Sequence, residues 1–253
     1  MTREDFDDLA QAEAGHWWFV GMRAITATLL NGWPPPSRPH RILDAGCGAG
    51  YMLNWLRDHA RTEAVFGLDF AAEALAHCQR DGAGRLLRAS ITDLPYDDAA
   101  FDVVTCFDVL QQLPHPSADQ RALTEFHRVL RPGGTLLTRV AAYRWLWSRH
   151  DTHMHTQHRY TLPELREQLT AAGFHVLRST YALTLLFPLA AAYRGVKQLL
   201  PVIPSSDVKL LPRQLSWLNR GLARTLEWEA ALLRRHLALP FGMSIVCLAR
   251  KEG

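Results

Sequence analysis

The chain has 253 residues, 48% of them hydrophobic and 21% charged, which is the composition of a globular protein and excludes a disordered chain. The formal net charge of +3 comes without a block of Lys and Arg, so a nucleic-acid partner is not expected. The four cysteines include no CxxC pair and the polar N-terminus is unlike a signal peptide, so a cytoplasmic location is expected. The longest apolar run, residues 181–193, is shorter than the roughly 20 residues of a membrane span.

The first predicted element is a helix over residues 4–31, in which apolar residues such as Trp17, Ile25 and Leu29 recur at helical spacing. Asn31-Gly32 ends this helix, and the prolines that follow form a stiff linker. Residues 1–33 are therefore expected to form a helical cap in front of the main fold.

Beyond residue 38, short β-rich runs alternate with helical ones, which is typical of βαβ units on a parallel sheet. Strands are predicted at residues 41–44, 64–69, 86–89, 101–107, 135–140, 174–180 and 244–249. Helices are predicted at residues 51–60, 71–80, 118–130 and 161–172, with a helical insertion at 181–240. The sequence thus predicts a single α/β domain with a doubly wound, mostly parallel, seven-stranded sheet, an N-terminal helix and a C-terminal helical insertion.

A glycine-rich loop, DAGCGAG at residues 44–50, joins the first predicted strand to a helix. Glycines at alternate positions let the backbone turn sharply and approach a ligand closely. The third glycine comes two residues after the second, whereas the dinucleotide fingerprint places it three after. Asp69, at the end of the next strand, can accept hydrogen bonds from ribose hydroxyls. The spacing therefore favours a ribose-containing cofactor other than a nicotinamide dinucleotide.

Five segments in succession resemble the motifs of class I, Rossmann-like methyltransferases that depend on S-adenosylmethionine. They are DAGCGAG at 44–50, GLD at 67–69, SITDLPY at 90–96, FDVVTCFDVL at 101–110 and LRPGGT at 130–135. The resemblance implies S-adenosylmethionine as cofactor, S-adenosylhomocysteine as product, and no metal. It also makes residues 38–180 the cofactor-binding core, 181–240 an insertion or lid, and 241–253 the segment of the last strand.

The same resemblance implies cofactor contacts residue by residue. Gly46, Gly48 and Gly50 would line the methionine part, and Asp69 would hold the ribose. Phe70 and Leu94 would sandwich the adenine, Asp93 would meet its amino group, and Asp44 would act near the cofactor's amino group through water or backbone. The other implied contacts are Cys47, Thr92, Phe107, Asp108 and Gln112.

The N-terminal segment HWWFVGMR, at residues 16–23, resembles the opening of many bacterial methyltransferases of this kind. The resemblance implies a helix that closes over the cofactor, with Trp18 or Phe19 packing there and Arg23 near the carboxylate. An amphipathic helix that simply docks on the sheet, with Arg23 exposed, remains the alternative.

Catalysis is harder to assign, because Gln111-Gln112 stands where relatives often carry Glu-His. A glutamine forms hydrogen bonds but cannot take a proton. The segment HDTHMHTQHRYT, at 150–161, resembles the loop near the acceptor, so His155 is the candidate base, with Asp151 as its orienter and Tyr160 beside them. Surface or structural histidines are the alternative, and a metal site is disfavoured because no Cys or carboxylate cluster completes it.

The acceptor is left open: a small-molecule or lipid-like compound methylated on O, N or C is expected. Leu, Ala and aromatic residues interleave with basic ones over 181–240, which fits a lid, a homodimer face or core. Peripheral membrane contact through 181–203 is a further alternative. A cofactor-binding module that has lost catalysis, and a nicotinamide-dependent oxidoreductase, are the rival functions.

Overall fold

The computed structural model describes residues 13, 15–31, 40–80, 85–114, 116–192 and 216–252. Its named helices are α1 Trp17–Leu30, α2 Tyr51–Ala60, α3 Ala72–Arg80, α4 Ser117–Val129, α5 Arg149–His153, α6 Leu162–Ala171 and α7 Ser216–Arg234. Its strands are β1 Ile42–Ala45, β2 Val65–Asp69, β3 Leu86–Arg88, β4 Phe101–Phe107, β5 Leu130–Ala141, β6 Phe174–Ala182 and β7 Ser244–Lys251. Two short 3-10 turns, Leu110–Gln112 and Arg144–Leu146, follow β4 and β5.

The seven strands form one sheet in the order β3-β2-β1-β4-β5-β7-β6. Strands β1 to β5 pair in parallel, and β7 lies antiparallel between β5 and β6. The predicted seven-stranded, mostly parallel sheet is confirmed. Because the chain order reverses between β1 and β4, the loops after these two strands diverge, and open α/β sheets bind ligands in the crevice that such a reversal leaves.

The central strands are buried on both faces, as near-continuous apolar sequences in a parallel sheet require. Helices α4 and α6 cover one face with side chains such as Phe126 and Leu165. Helices α1, α2, α3 and α7 cover the other face with Ile25, Leu56 and Leu233 among others. The result is a three-layer fold whose ligand edge is left to the loops at the carboxyl ends of the strands.

Helix α1 begins at Trp17, so the predicted continuous helix over 4–31 is interrupted at His16. His16 has extended backbone angles, and its ring atom Nδ1 accepts a hydrogen bond from the Trp18 amide at 3.3 Å. An N-cap of this kind satisfies an amide that the first helical turn leaves without a partner, which fixes where the helix starts. Residues 4–12 of the predicted helix lie outside the described residues.

The α1 helix is held against α7 by both backbone and packing. Asn219 of α7 accepts a hydrogen bond from the Trp17 amide and donates one to the Gly15 carbonyl, each at 2.9 Å. Gly21 faces Leu226 so closely that a Cβ on the glycine would lie 2.2 Å from the leucine Cδ1. The N-terminal cap is therefore docked on a helix that comes about 200 residues later in the chain.

The predicted insertion at 181–240 is only partly helical. Strand β6 continues to Ala182, residues 187–192 are helical, and α7 occupies Ser216–Arg234. Residues 193–215, and with them much of the 181–203 segment considered for membrane contact, lie outside the described residues. In the part of the chain that the structure describes, no helix combines the length and apolarity that crossing a bilayer demands.

Two details of the middle of the chain differ from the prediction. Strand β5 starts at Leu130, before the predicted start at 135, because Leu130 pairs with Phe101 across an irregular register. Helix α5 was not predicted, although Ser148 and Asp151 form the capping box that starts it. The LRPGGT motif at 130–135 was interpreted as a turn, and the segment at 150–161 was interpreted for its candidate catalytic residues, so neither the start of β5 at Leu130 nor helix α5 was predicted.

Candidate functional site

The glycine loop lies between β1 and α2 at the carboxyl edge of the sheet. Gly46, Gly48 and Gly50 have φ angles of +90°, +54° and +89°, which side-chain-bearing residues rarely adopt. A Cβ at Gly48 would meet nothing within 4 Å, so the space above the loop is open. The loop thus leaves room for a ligand directly in front of the first turn of α2.

Asp69, at the end of β2, is joined to this loop. Its Oδ2 atom accepts a hydrogen bond from the Gly48 amide and its Oδ1 atom one from the Ala71 amide, each at 2.9 Å. The residue predicted to hold a ribose therefore lies beside the glycines predicted to line the rest of the ligand. This geometry fits an adenosine-containing group laid across the loop.

The residues expected around an adenine follow β2 and β3. Phe70 is 72% exposed, which leaves its ring available to stack on a base. Leu94 is 3% exposed and belongs to the core, while Thr92 and the exposed Asp93 lie in the turn before it. Of the two side chains predicted to enclose the adenine, the Phe70 ring is therefore exposed and the Leu94 side chain is almost fully buried.

Asp44 lies at the buried end of β1, where its Oδ1 atom accepts a hydrogen bond from the Thr105 hydroxyl at 2.7 Å. Burial raises the pKa of Asp44 to about 6, and Asp69 adds to the rise, while the Thr105 hydrogen bond and Arg139 oppose it. Cys47, in the loop itself, is also buried, and its hydrogen bond with Cys78 together with burial raises the pKa of its thiol. Cys47 is therefore an unreactive thiol that fills space under the loop.

Arg139 of β5 was missed by the sequence analysis. Its Nε and Nη2 atoms donate to Oδ2 of Asp108 at 2.8 and 2.6 Å. The guanidinium lies 4.7 Å from the Trp18 ring and 4.9 Å from the Phe107 ring, within the range of cation–π contacts. A lone charged residue in an otherwise apolar predicted strand was the signal that could have identified it.

The HWWF segment thus reaches the site through Arg139. Trp18 covers the Arg139 guanidinium, and Phe19 contacts the Trp18 ring edge-on at 4.7 Å. Arg23 lies 4.5 Å above the ring of Tyr51, the first residue of α2, and its Nη1 atom donates to the Glu13 carbonyl at 2.7 Å. These contacts place α1 beside the loop and α2, and the cofactor roles expected of its residues remain proposals.

The loops that follow β4 and β5 are joined by Gln111. Its side-chain oxygen accepts a hydrogen bond from the Ala141 amide, and its backbone carbonyl accepts from Gln157 and His158 at 2.7 and 3.1 Å. Gln112 is half-buried in the same 3-10 turn. The first glutamine of the unusual pair therefore has a structural role that the sequence did not reveal.

The three predicted catalytic residues occupy different environments. Asp151 is buried and accepts hydrogen bonds from the Ser148 amide and hydroxyl at 2.8 and 3.1 Å, with Arg159 at 3.4 Å. Tyr160 is fully buried and its hydroxyl donates to Asp119 at 2.9 Å. His155 is exposed with a φ of +54°. The hydrogen bonds described for Asp151 and Tyr160 run to Ser148 and Asp119, and the catalytic roles expected of the three residues remain proposals.

A cavity of about 600 Å³ opens between the loops after β4 and β5. It is lined by Pro114, Arg144, Trp147, Gln157, His158 and Arg159. Because β4 and β5 are parallel to β1, this cavity lies on the same edge of the sheet as the glycine loop. Among the described residues, no group of three or more His, Cys, Asp or Glu side chains could hold a metal ion.

The family model described as a methyltransferase domain matches residues 43–138, which run from β1 into β5. Over these residues the chain is similar to that domain. The HWWF segment at 16–23 lies outside the match, so the role expected of this segment rests on the geometry of α1 alone.

Individual relatives agree with this assignment. A probable S-adenosylmethionine-dependent methyltransferase of Mycolicibacterium smegmatis is 35% identical over 138 residues, covering 53% of this chain and 52% of the relative. A malonyl-[acyl-carrier protein] O-methyltransferase of Enterobacter lignolyticus is 33% identical over 173 residues, covering 65% of each chain. The chain thus spans less than two thirds of the length of these relatives. A solved S-adenosylmethionine-dependent methyltransferase of Mesorhizobium loti shares the fold, with a TM-score of 0.58, 18% identity and coverage of 91% and 97%.

Proposed function

We propose that this protein transfers a methyl group from S-adenosylmethionine to a small-molecule acceptor. The observation that carries the proposal is the open space over Gly48 in a loop of positive-φ glycines, beside the carboxylate of Asp69. Gly46, Gly48 and Gly50 would hold the methionine part, and Asp69 the ribose. The adenine would meet residues that follow β2 and β3, namely Phe70, Thr92, Asp93 and Leu94.

The cofactor, when bound, supplies an electrophilic methyl carbon on a sulfonium sulfur. The protein's part is to align the acceptor behind that carbon and to exclude water. The Arg139–Asp108 ion pair, covered by Trp18, fixes the ends of β4 and β5 beside the site. A base is required only for a hydroxyl or ammonium acceptor. Gln112 cannot be that base, because an amide takes no proton at neutral pH.

For the acceptor, we propose the cavity between the loops after β4 and β5. Two of the side chains that line it already face acids, since Arg159 lies near Asp151 and His158 contacts Glu164 at 2.6 Å. Arg144 is exposed and has no ion-pair partner among the described residues. An acceptor that carries a carboxylate or phosphate group would form an ion pair with the Arg144 guanidinium. Relatives named malonyl-[acyl-carrier protein] O-methyltransferase favour methylation on oxygen.

Calorimetric titration of the purified protein with S-adenosylmethionine, S-adenosylhomocysteine and NADH tests the cofactor assignment. We expect micromolar binding of both sulfur compounds and none of NADH. Asp69→Ala should weaken binding by about tenfold or more, because it removes a charged hydrogen-bond acceptor. Asp69→Asn keeps a side-chain oxygen that can accept from the loop amides. If its unfolding midpoint equals that of the wild type, weaker cofactor binding by this variant is not due to loss of folding.

The outcomes separate the candidate functions. Tight NADH binding without a response to the sulfur compounds would overturn the proposal in favour of an oxidoreductase. Binding of both sulfur compounds without turnover on any acceptor would leave a cofactor-binding module. Turnover on anionic acceptors, with a KM that rises in Arg144→Ala but not in the exposed-residue control Arg149→Ala, would support the proposed acceptor cavity.

A further inference from the structure

Glu13 precedes α1 and reaches into the site beneath it. The backbone amide of Tyr51, at the N-terminus of α2, donates a hydrogen bond to the carboxyl group of Glu13. The carboxyl atom Oε2 has no access to solvent and no hydrogen-bond partner among the described residues. Arg23 fixes the backbone of the same residue by donating to its carbonyl at 2.7 Å. A desolvated oxygen without a partner is costly, so its position indicates a donor that a ligand brings.

The surroundings of this oxygen define what that ligand must be. Asp44 of β1 is the acid that faces Glu13, and Arg23 of α1 and Arg139 of β5 are the cations that face it. Both cations have other contacts: Arg139 is paired with Asp108, and Arg23 lies over Tyr51. Two neighbouring buried carboxyls repel an anion and attract a compact cation that carries N–H donors.

We propose that Glu13, together with Asp44, binds the ammonium group of the methionine part of the cofactor, so that the N-terminal segment closes the site through the ligand. The inference rests on the proposed function and adds a residue of the N-terminal cap to the binding site. The glycine loop, expected to line the methionine part, ends at Gly50, and the Tyr51 amide that meets Glu13 follows directly. An ammonium group beside the loop would meet the free oxygen of Glu13.

A proton accompanies this step. Burial, with Asp44 adding to it, raises the pKa of Glu13 to about 8, while Arg23, Arg139 and the Tyr51 amide oppose the rise. Without ligand at pH 7 the carboxyl group is therefore mostly protonated. A bound ammonium favours the carboxylate, so the O–H bond of Glu13 breaks, its proton passes to the buffer, and an N–H···O hydrogen bond forms to the ligand.

Calorimetry in two buffers of different ionisation enthalpy measures that proton. At pH 7 we expect S-adenosylhomocysteine to release close to one proton per site from the wild-type protein. Glu13→Gln should abolish the release and raise the Kd of S-adenosylhomocysteine by about tenfold to a hundredfold. 5′-Methylthioadenosine, which lacks the amino-acid part, should bind both proteins equally and release no proton. Glu167→Gln, on the exposed face of α6, is the matched control and should behave as wild type.

The two compounds keep this inference separate from the function on which it rests. If neither S-adenosylhomocysteine nor 5′-methylthioadenosine binds the folded protein, the cofactor assignment itself fails. If both bind, but Glu13→Gln leaves proton release and Kd unchanged, the cofactor stands and the role of Glu13 is overturned. A Glu13→Gln variant that weakens both compounds equally also overturns it, because the effect would then be on folding of the site. Its unfolding midpoint, compared with wild type, checks that reading independently.

Discussion

Gly21 shows how one missing side chain determines the position of the N-terminal cap. A Cβ at this position would lie 2.2 Å from Cδ1 and 2.4 Å from Cβ of Leu226, which is fully buried. Leu226 cannot move away without disturbing the core beneath α7. The glycine of the HWWF segment is therefore required for packing between α1 and α7, irrespective of any contact with a ligand.

Gly21→Ala should lower the free energy of unfolding by about 1–3 kcal/mol, because the added methyl group overpacks the α1–α7 contact. Gly221→Ala is the matched control: it lies in α7 with nothing within 4 Å of its Cβ position. That variant should gain about 0.5–1 kcal/mol from the better helix propensity of alanine. Urea unfolding followed by circular dichroism measures both, and equal effects of the two substitutions would contradict the packing argument.

Tyr160 is the residue for which structural and catalytic roles are most clearly separable. Burial, the neighbouring Asp119 and the hydrogen bond to it raise the pKa of the Tyr160 hydroxyl. Such a hydroxyl stays protonated at physiological pH and is a poor base. Its bond to Asp119 instead ties the loop after β5 to the N-terminal turn of α4.

Tyr160→Phe should therefore lower the free energy of unfolding by about 1–3 kcal/mol, since it leaves Asp119 with one hydrogen bond fewer in a buried site. The turnover number expected for the proposed methyl transfer should stay unchanged. Denaturant unfolding and steady-state kinetics on the same preparation check the two statements. A large fall in turnover at unchanged stability would instead restore Tyr160 to the catalytic group.

At the scale of elements, the walls of the proposed acceptor cavity depend on one another. The loop after β4 and the loop after β5 meet at Gln111, which contacts both the end of β5 and the 157–158 backbone. The short helix α5 completes the second loop through its Ser148–Asp151 capping box. The cavity is thus shaped by hydrogen bonds between loops, while the strands only set its floor.

Gln111→Ala should leave the buried Ala141 amide without its side-chain acceptor and loosen the loop after β4 from the end of β5, while the backbone bonds to Gln157 and His158 remain. We expect a loss of about 1–3 kcal/mol in stability. Hydrogen exchange of the Ala141 amide should rise by more than that of the other β5 amides. Gln112→Ala, next to it, serves as control and should leave exchange of the Ala141 amide unchanged. Uniform exchange across the whole fold in both variants would argue against a local link.

The stability of the whole molecule should depend on pH, because two acidic side chains, Glu13 and Asp44, face each other in the site. The pKa of Glu13 is raised to about 8 and that of Asp44 to about 6. Groups with raised pKa values favour the folded state while they are protonated, and that contribution is lost as the pH rises through their folded-state values.

The melting temperature of the unliganded protein should therefore fall between about pH 5 and pH 8. The decline should be shallower in Glu13→Gln, whose side chain does not ionise. Differential scanning calorimetry at a series of pH values, with wild type and Glu167→Gln as references, measures the difference in slope. Identical slopes in all three proteins would show that Glu13 is already ionised in the folded state.

Much of this molecule was predictable, and the limits have physical causes. The sheet strands and the glycine loop were predicted correctly because alternating strand and helix patterns, and closely spaced glycines after a strand, are strong local signals in a sequence. The burial of Glu13 and the pairing of Arg139 with Asp108 depend on contacts between distant segments, which a single sequence does not display. The break at His16 was missed because histidine is an unusual N-cap, although it immediately precedes the helix.

The sheet order also has a consequence for how the protein is made. Strand β7 lies between β5 and β6, and α7 is the helix on which α1 docks. While the chain emerges from the ribosome, the parallel strands β1 to β5 can pair in the order of their synthesis. The inner face of α1 and the edge of β6 remain exposed to solvent until α7 and β7 have been synthesised. A nascent chain halted before residue 216 would thus expose both, and would be a natural client for a chaperone.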